Sequence, residues 1–305
     1  MQFSVWPGPH QPWPDIVEVA RHAELTGWDR LYLADHFMSN DDAAEGATLE
    51  CWSMVAALAA AVPRVGIGTL VCGNTYRHPA ILANQAATAD VISGGRIVLG
   101  LGAGWQVNEH DKYGIELYDL RTRMDRFEEA CQVVRALRDD DRASFAGEHY
   151  QLTDAPMNPK PVGPLPLLIG GGGEKRTLRI AARYADEWNV WSDPAVFAHK
   201  VSVLEAHCDD VGRDASSIHK STQAILFLSD DEQYLDKIRG RDLPVKAMVG
   251  NAEQLTEIVA AYRDAGVDEL IVPDFNLGSG QERTEILDRF MTEVAANFER
   301  SPLPA

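Results

Sequence analysis

Four short stretches carry residue types that could do chemistry, and each follows an apolar run. The first is Ala34-Asp35-His36-Phe37. An imidazole there can give or take a proton near neutral pH. Asp35 has three uses open to it: orienting His36, accepting from a ligand, or capping the next turn. The second is Val71-Cys72-Gly73-Asn74-Thr75, whose small residues allow close approach to the backbone. Cys72 has no recognisable base beside it, so its side chain reads as packing rather than as a nucleophile. The third, Gly100-Leu101-Gly102-Ala103-Gly104-Trp105, fails as a dinucleotide fingerprint because Trp105 stands where the last glycine belongs. With Gln106 and Asn108 behind it, this stretch suits a flat ring and its amide edges. The fourth is Leu167 to Ile169 followed by Gly170-Gly171-Gly172-Gly173 and a helical segment. Consecutive glycines at a helix start expose backbone N–H groups beside the positive end of the helix dipole, a phosphate cradle. No Lys-Ser or Lys-Thr follows in P-loop register, which argues against an NTPase.

The elements that must position these residues alternate strand and helix along the chain. Strands are expected at 3–6, 29–34, 65–71, 96–101, 165–169, 187–191, 222–228 and 269–272. The helices between them are expected at 15–25, 51–61, 79–92, 121–138, 174–184, 194–211 and 252–265, with the last at 282–298. Irregular insertions are expected at about 139–164 and 230–250, with a polar loop at 38–48. Eight strand–helix units in 305 residues favour a single (β/α)8 TIM barrel formed by the whole chain, residues 1–305. In such a barrel the chemistry sits on loops at the C-terminal ends of the strands, where the four stretches fall.

Composition narrows the function classes. Lys+Arg is 28 and Asp+Glu 46, a net charge of −18, so a nucleic-acid partner is not expected. The longest apolar run, Met54 to Val62, is too short to cross a membrane, which takes about 20 residues. The first 20 residues hold no Lys or Arg and four prolines, unlike a signal peptide. Four scattered cysteines without CxxC spacing suggest a reduced, cytoplasmic protein with no cysteine-based metal site. Tryptophans at 6, 105, 188 and 191, at or near strand ends, suit an aromatic cofactor and an apolar or cyclic substrate.

Taken in order, Asp35-His36-Phe37, Val71 to Thr75, Gly102 to Glu109 and Leu167 to Asn189 resemble the luciferase-like monooxygenase superfamily, in particular its branch using the deazaflavin coenzyme F420. The resemblance covers nearly the whole chain. It implies a barrel with the ring across its mouth and the phosphate held after the fifth strand. It places Asp35 and His36 against the ring, His36 as the catalytic residue, and Thr75 and Asn108 at cofactor-contacting positions. Gly171, Gly172 and Gly173 match the phosphate loop. Cys72-Gly73 matches the position of a non-prolyl cis peptide. A homodimer is also implied.

One departure from the family pattern is informative. Sugar-phosphate dehydrogenases of this branch carry a glutamate where this chain has Trp105, and Glu109, at a different offset, is not expected to replace it. The expectation is therefore hydride transfer between F420 and a small apolar or cyclic organic substrate. The alternative is an FMN-dependent monooxygenase using reduced flavin and O2. A flavin-sequestering barrel without turnover and a nicotinamide-dependent reductase stand further back. The negative charge opposes an anionic cofactor, and Lys175, Arg176, Arg179 and Arg183 are the basic set expected to offset it locally.

Overall fold

The computed structural model describes residues 1–42, 46–243 and 246–301. Eight parallel strands close into a barrel: β1 (Gln2–Trp6), β2 (Arg30–Leu33), β3 (Gly66–Thr69, resuming at Cys72–Gly73), β4 (Ile97–Gly102), β5 (Leu167–Gly170), β6 (Glu187–Asn189), β7 (His219–Gln223) and β8 (Glu269–Pro273). They pair in chain order, and β8 returns to β1 in register from Gln2 opposite Glu269 to Trp6 opposite Pro273. Strands buried on both faces need near-continuous apolar runs, and Ile97–Gly102 and Leu167–Ile169 supply them.

Helices α1 (Trp13–Thr26), α2 (Cys51–Ala61), α3 (Pro79–Ser93), α4 (Val107–Tyr113), α5 (Leu120–Asp139), α6 (Thr177–Tyr184), α7 (Pro194–Val211), α8 (Glu232–Arg239), α9 (Ala252–Asp264) and α10 (Gly280–Arg289) form the outer layer. Their starts are written locally. Glu50 accepts from the N–H groups of Trp52 and Ser53, Asp119 from Arg121 and Thr122, and Asn251 and Gln254 form a capping box. No helix among the described residues is long and apolar enough to cross a membrane.

Besides the unexpected short helix α4 and a last α-helix that ends at Arg289 rather than 298, three stretches differ from the sequence expectation. The segment 139–164 holds an antiparallel hairpin, Arg142–Ala146 with Gln151–Pro156. It is largely exposed and poor in β-branched residues, so no apolar alternation announces it. The segment 230–250 is not simply a loop. Asp231 caps α8 through the N–H groups of Gln233 and Tyr234, and Ala247–Gly250 pairs with Ile225–Leu228. The expected strand 222–228 is thus two strands, because Ile225–Leu228 leaves the barrel for this partner. Positions 244 and 245 of the expected insertion, and 43–45 of the expected polar loop, lie outside the described residues.

The third difference is at the end of β3. The non-prolyl cis bond is Leu70–Val71, not Cys72–Gly73. Gly68 stands opposite Val98 and Cys72 opposite Leu101, so β3 carries one residue more than β4 over this span. The backbone re-registers there, two residues earlier than the family resemblance implies. Gly100 admits this bulge: a Cβ at that position would lie 1.9 Å from the Thr69 carbonyl oxygen. The Thr69 hydroxyl bridges the gap, donating to Gly100 O and accepting from Gly100 N at 2.9 Å each.

The barrel interior has two zones. Trp6, Tyr32, Ala34, Leu70, Val98, Leu168 and Ile271 form an apolar layer below the mouth. At the opposite end Arg30, Glu187, His219 and Glu269, all from strand starts, form a charged plug. Arg30 donates to both Glu187 carboxylate oxygens at 2.8 and 2.9 Å and to Glu269 at 3.1 Å. Tyr32 and Ser4 also donate to Glu269. Burial opposes ionisation of Glu269, yet the charge of Arg30, the hydrogen bond and charge of His219 and the Ser4 hydroxyl outweigh it and hold its pKa down to about 2. Glu187, His219 and Glu269 bring possible metal-ligand atoms close together, but the Arg30 guanidinium already bridges the two carboxylates.

Candidate active site

The barrel mouth opens into a cavity of about 490 Å³ with walls drawn from seven strand ends. One part of its lining is small: Cys72-Gly73, Gly102-Ala103-Gly104 and Gly170-Gly171, with Leu70 and Val71 among them. Gly102 and Gly170 stay small because a Cβ on either would lie within 2.9 Å of Val71. A flat ring needs a low-relief floor of this kind.

His36 stands three residues beyond the end of β2 at Leu33, and its ring lines the cavity. Its Nδ1 lies 2.7 Å from Glu109 Oε1, while the other Glu109 oxygen accepts the Phe37 N–H at 2.9 Å. Tyr76 donates its hydroxyl to the same carboxylate. Glu109 is fully buried, which alone would raise its pKa, but the hydrogen bonds from His36, Tyr76 and Phe37 prevail and keep it below the usual carboxylate range. An ionised acceptor at Nδ1 selects the tautomer with its proton there, leaving Nε2 as a proton acceptor. Trp105 meets the His36 ring edge-on at 5.5 Å.

Sequence reasoning set Glu109 aside. The signal that could have found it is its place on the inner face of the short helix α4, three residues after Gln106, following the Gly-rich strand end. Asp35 does not orient His36. Its carboxylate takes both arms of Arg77, at 2.6 and 3.0 Å, and Arg77 also reaches the α2 cap Glu50 at 2.7 Å. Asp35 still lines the cavity wall.

The other expected positions divide. Cys72 and Gly73 line the cavity, with Cys72 itself fully buried. Thr75 is not among the lining residues; its hydroxyl lies behind Gly104 and pairs with His110 Nε2 at 2.7 Å. Asn108 donates its amide N–H groups to Ser39 O, Asn40 O and Asp42, at 2.8 to 3.3 Å, and so ties down the loop after β2, while its buried Oδ1 has no partner. Gly171 lines the cavity with φ of 120°, a conformation glycine adopts freely. Its N–H donates to Asn189 O at 2.9 Å. Among the described residues no recorded hydrogen bond uses the N–H of Gly172 or Gly173, which stand before α6. Thr177, the first residue of α6, also lines the cavity.

The basic set is less free than the sequence suggests. Arg176 pairs with Asp125 at 2.5 Å, and Arg179 and Arg183 pair with Glu128 at 3.2 and 3.0 Å. These guanidiniums brace α6 against α5, so little of their charge is left for a ligand. Lys175 is exposed and has no such partner among the described residues.

Three buried polar atoms in cavity-lining residues have no partner: Trp6 Nε1, Trp191 Nε1 and Gln223 Oε1. Buried polar atoms are seldom left unpaired, so a ligand with polar edges fits here. The flat floor, these atoms and the free N–H groups before α6 together suit a ring cofactor bearing a phosphate. A larger cavity of about 790 Å³ lies at the N-terminal ends of the strands, but the Arg138 and Lys160 heads in its walls are spent on Asp186 and on backbone carbonyls.

Residues 1–243 match the family described as luciferase-like monooxygenase. An F420-dependent glucose-6-phosphate dehydrogenase from Amycolatopsis mediterranei is 34% identical over 56% of this chain and 50% of its own length. One from Segniliparus rotundus is 31% identical over 71% of this chain and 65% of its own. The chain thus spans between half and two thirds of these relatives' lengths. Among solved structures, an F420-dependent secondary alcohol dehydrogenase in complex with an F420-acetone adduct superposes with a TM-score of 0.84 at 21% identity. That match covers 98% of this chain and 99% of the other, a likeness of fold.

Proposed function

Because the chain belongs to the luciferase-like monooxygenase family, we propose that it is a coenzyme F420-dependent oxidoreductase that transfers a hydride to or from a small organic substrate. The observation that carries this reading is the His36–Glu109 pair at the rim of a flat, small-residue floor. The relatives' dependence on F420 supports the choice of cofactor. When bound, the deazaflavin supplies a carbon that accepts or returns a hydride.

Every other part of the work falls to the chain's own residues. Leu70, Val71, Cys72, Gly73 and Gly102 to Gly104 would carry the ring, with Asp35 and His36 at its side. Gly171, Gly172, Gly173 and Thr177 would hold the phosphate. Thr75 and Asn108 shape this bed from behind through His110 and the loop after β2. His36 Nε2 takes the proton from a substrate hydroxyl as the hydride departs, and returns it in the reverse direction. Glu109 stabilises the imidazolium that results. Trp6, Trp105 and Trp191 keep water from the reacting atoms.

The chain works as one domain in the cytoplasm, where its four buried free cysteines stay reduced. A homodimer is supported by the recess between α2 and α3. That face carries Ala56, Ile81, Asn84, Thr88 and Ile92, with Glu50 its one charged residue, on a protein of charge −18.

Fluorescence titration of the purified protein with oxidised F420, and in parallel with FMN, tests the cofactor. Saturable binding of F420 alone is expected. Binding of FMN alone would move the reading to the oxygen-using monooxygenase, and binding of neither would sink it.

A further inference from the structure

Beside the cofactor lobe, the mouth opens into a second recess of about 510 Å³. The two lobes share three wall residues: Trp6, His36 and Trp105. His36 is the one titratable side chain common to both, among the described residues. Any molecule in the second recess therefore meets the same imidazole that borders the ring floor.

The recess is walled by aromatic and apolar side chains. Trp6 stands edge-on to Phe275 with centroids 5.1 Å apart, and Pro9 and Met38 close the sides. Two of these rings are open to solvent to an unusual degree, Trp105 at 58% and Phe275 at 44%. Large rings left bare around a concave site are the common lining for an apolar ligand.

The polar side chains of the recess are neutral or already engaged. Gln11 donates to Asp274 at 2.7 Å and accepts from Arg283 at 2.5 Å. His10 pairs with Thr48 at 3.0 Å, and Gln106 donates to Met38 O at 3.1 Å. No lysine or arginine lines the recess among the described residues. Arg283, behind Gln11, is 1% exposed and committed to Gln11, Asp274 and Glu18.

The geometry points to a substrate site for an uncharged, ring-sized alcohol or its ketone, with Trp105 and Phe275 setting specificity and phosphorylated sugars shut out. A phosphate dianion entering this recess would lose water and gain no cation, inside a molecule of net charge −18. A cyclic carbon skeleton instead covers the bare rings, and its single oxygen reaches His36. This assignment rests on the hydride-transfer reading, and it separates this chain from the glucose-6-phosphate dehydrogenases it resembles.

Calorimetric titration of the F420-loaded protein with cyclohexanol and with glucose 6-phosphate tests the assignment. Saturable binding of cyclohexanol is expected, with glucose 6-phosphate at least about a hundredfold weaker. Phe275→Ala, which lies outside the cofactor lobe, is expected to weaken cyclohexanol about tenfold, the worth of one buried ring contact. F420 affinity and melting temperature should stay unchanged in that variant. Absence of cyclohexanol binding, glucose 6-phosphate binding as tight, or an unaltered alcohol affinity in Phe275→Ala would each overturn the assignment. Failure of F420 itself to bind would instead strike the hydride-transfer reading, so the two failures are told apart.

Discussion

Glu109 holds His36 from α4: one carboxylate oxygen lies 2.7 Å from His36 Nδ1, and the other fixes the next backbone N–H, that of Phe37. A single buried carboxylate thus sets both the tautomer of the imidazole and the path of the chain that carries it. Orienting partners of this kind govern a reactive group without touching substrate.

Replacing Glu109 with Gln keeps the shape and removes the charge. The variant is expected to bind F420 as before while kcat falls about 10- to 100-fold. His36→Ala should lose about a hundredfold or more, with F420 affinity kept within a few-fold. Stopped-flow absorbance of the cofactor, together with the fluorescence titration, separates the two effects. An unchanged kcat in both variants would remove His36 from the chemistry.

The charged plug makes a prediction about stability. Arg30→Met would leave Glu187 and Glu269 buried without their cation. Removing one partner of a buried ion pair costs about 3–5 kcal/mol. Thermal unfolding should show a large loss in melting temperature, and a loss under a degree would contradict the role given to Arg30.

The pH dependence of stability follows from the same plug. The folded pKa of Glu269, about 2, lies below its ordinary 4.5. Its contribution is therefore fully present above pH 4.5 and is lost as pH falls towards 2. His219 moves the other way: burial would lower its pKa, but the hydrogen bond to Glu269 and the charge of Glu187 raise it above 6.5. Its contribution is present below pH 6.5 and is lost as pH rises through the folded value. Melting temperature should therefore fall on both sides; His219→Gln should flatten the alkaline side and also weaken the acid side, because His219 helps hold the Glu269 carboxylate ionised.

All four cysteines are buried. Cys51 and Cys72 lie against one another, and their contact, with burial, raises the Cys51 thiol well above its ordinary value. Ellman's reagent should find no reactive thiol in the native protein and four after unfolding in guanidinium. Rapid labelling of native Cys72 would reopen it as a reactive group.

Gly171 has the backbone of a residue that does not tolerate a side chain, with φ of 120°. Gly171→Ala should weaken F420 about tenfold by moving the turn that carries Gly172 and Gly173. It should also cost about 1 kcal/mol of stability, read by denaturant unfolding.

The order of apolar runs by itself determined the barrel and the four loops at its mouth. Strand periodicity and cap residues are local, and each of β1 to β8 carries its own burial pattern. His36, Cys72, Gly73 and Gly171 fell where those patterns put them. What only the tertiary structure decided are partnerships between residues distant in sequence. Glu109 reaches His36 across 73 positions, Arg77 takes Asp35 across 42, and Arg30 reaches Glu187 across 157. Arg176, Arg179 and Arg183 look available in the sequence, yet α5 brings Asp125 and Glu128 against them. The extra residue in β3 is likewise visible only against the register of β4. Propensity and pattern act over a few residues, whereas a charge finds its partner only once the closing of the sheet has fixed which strand ends face one another.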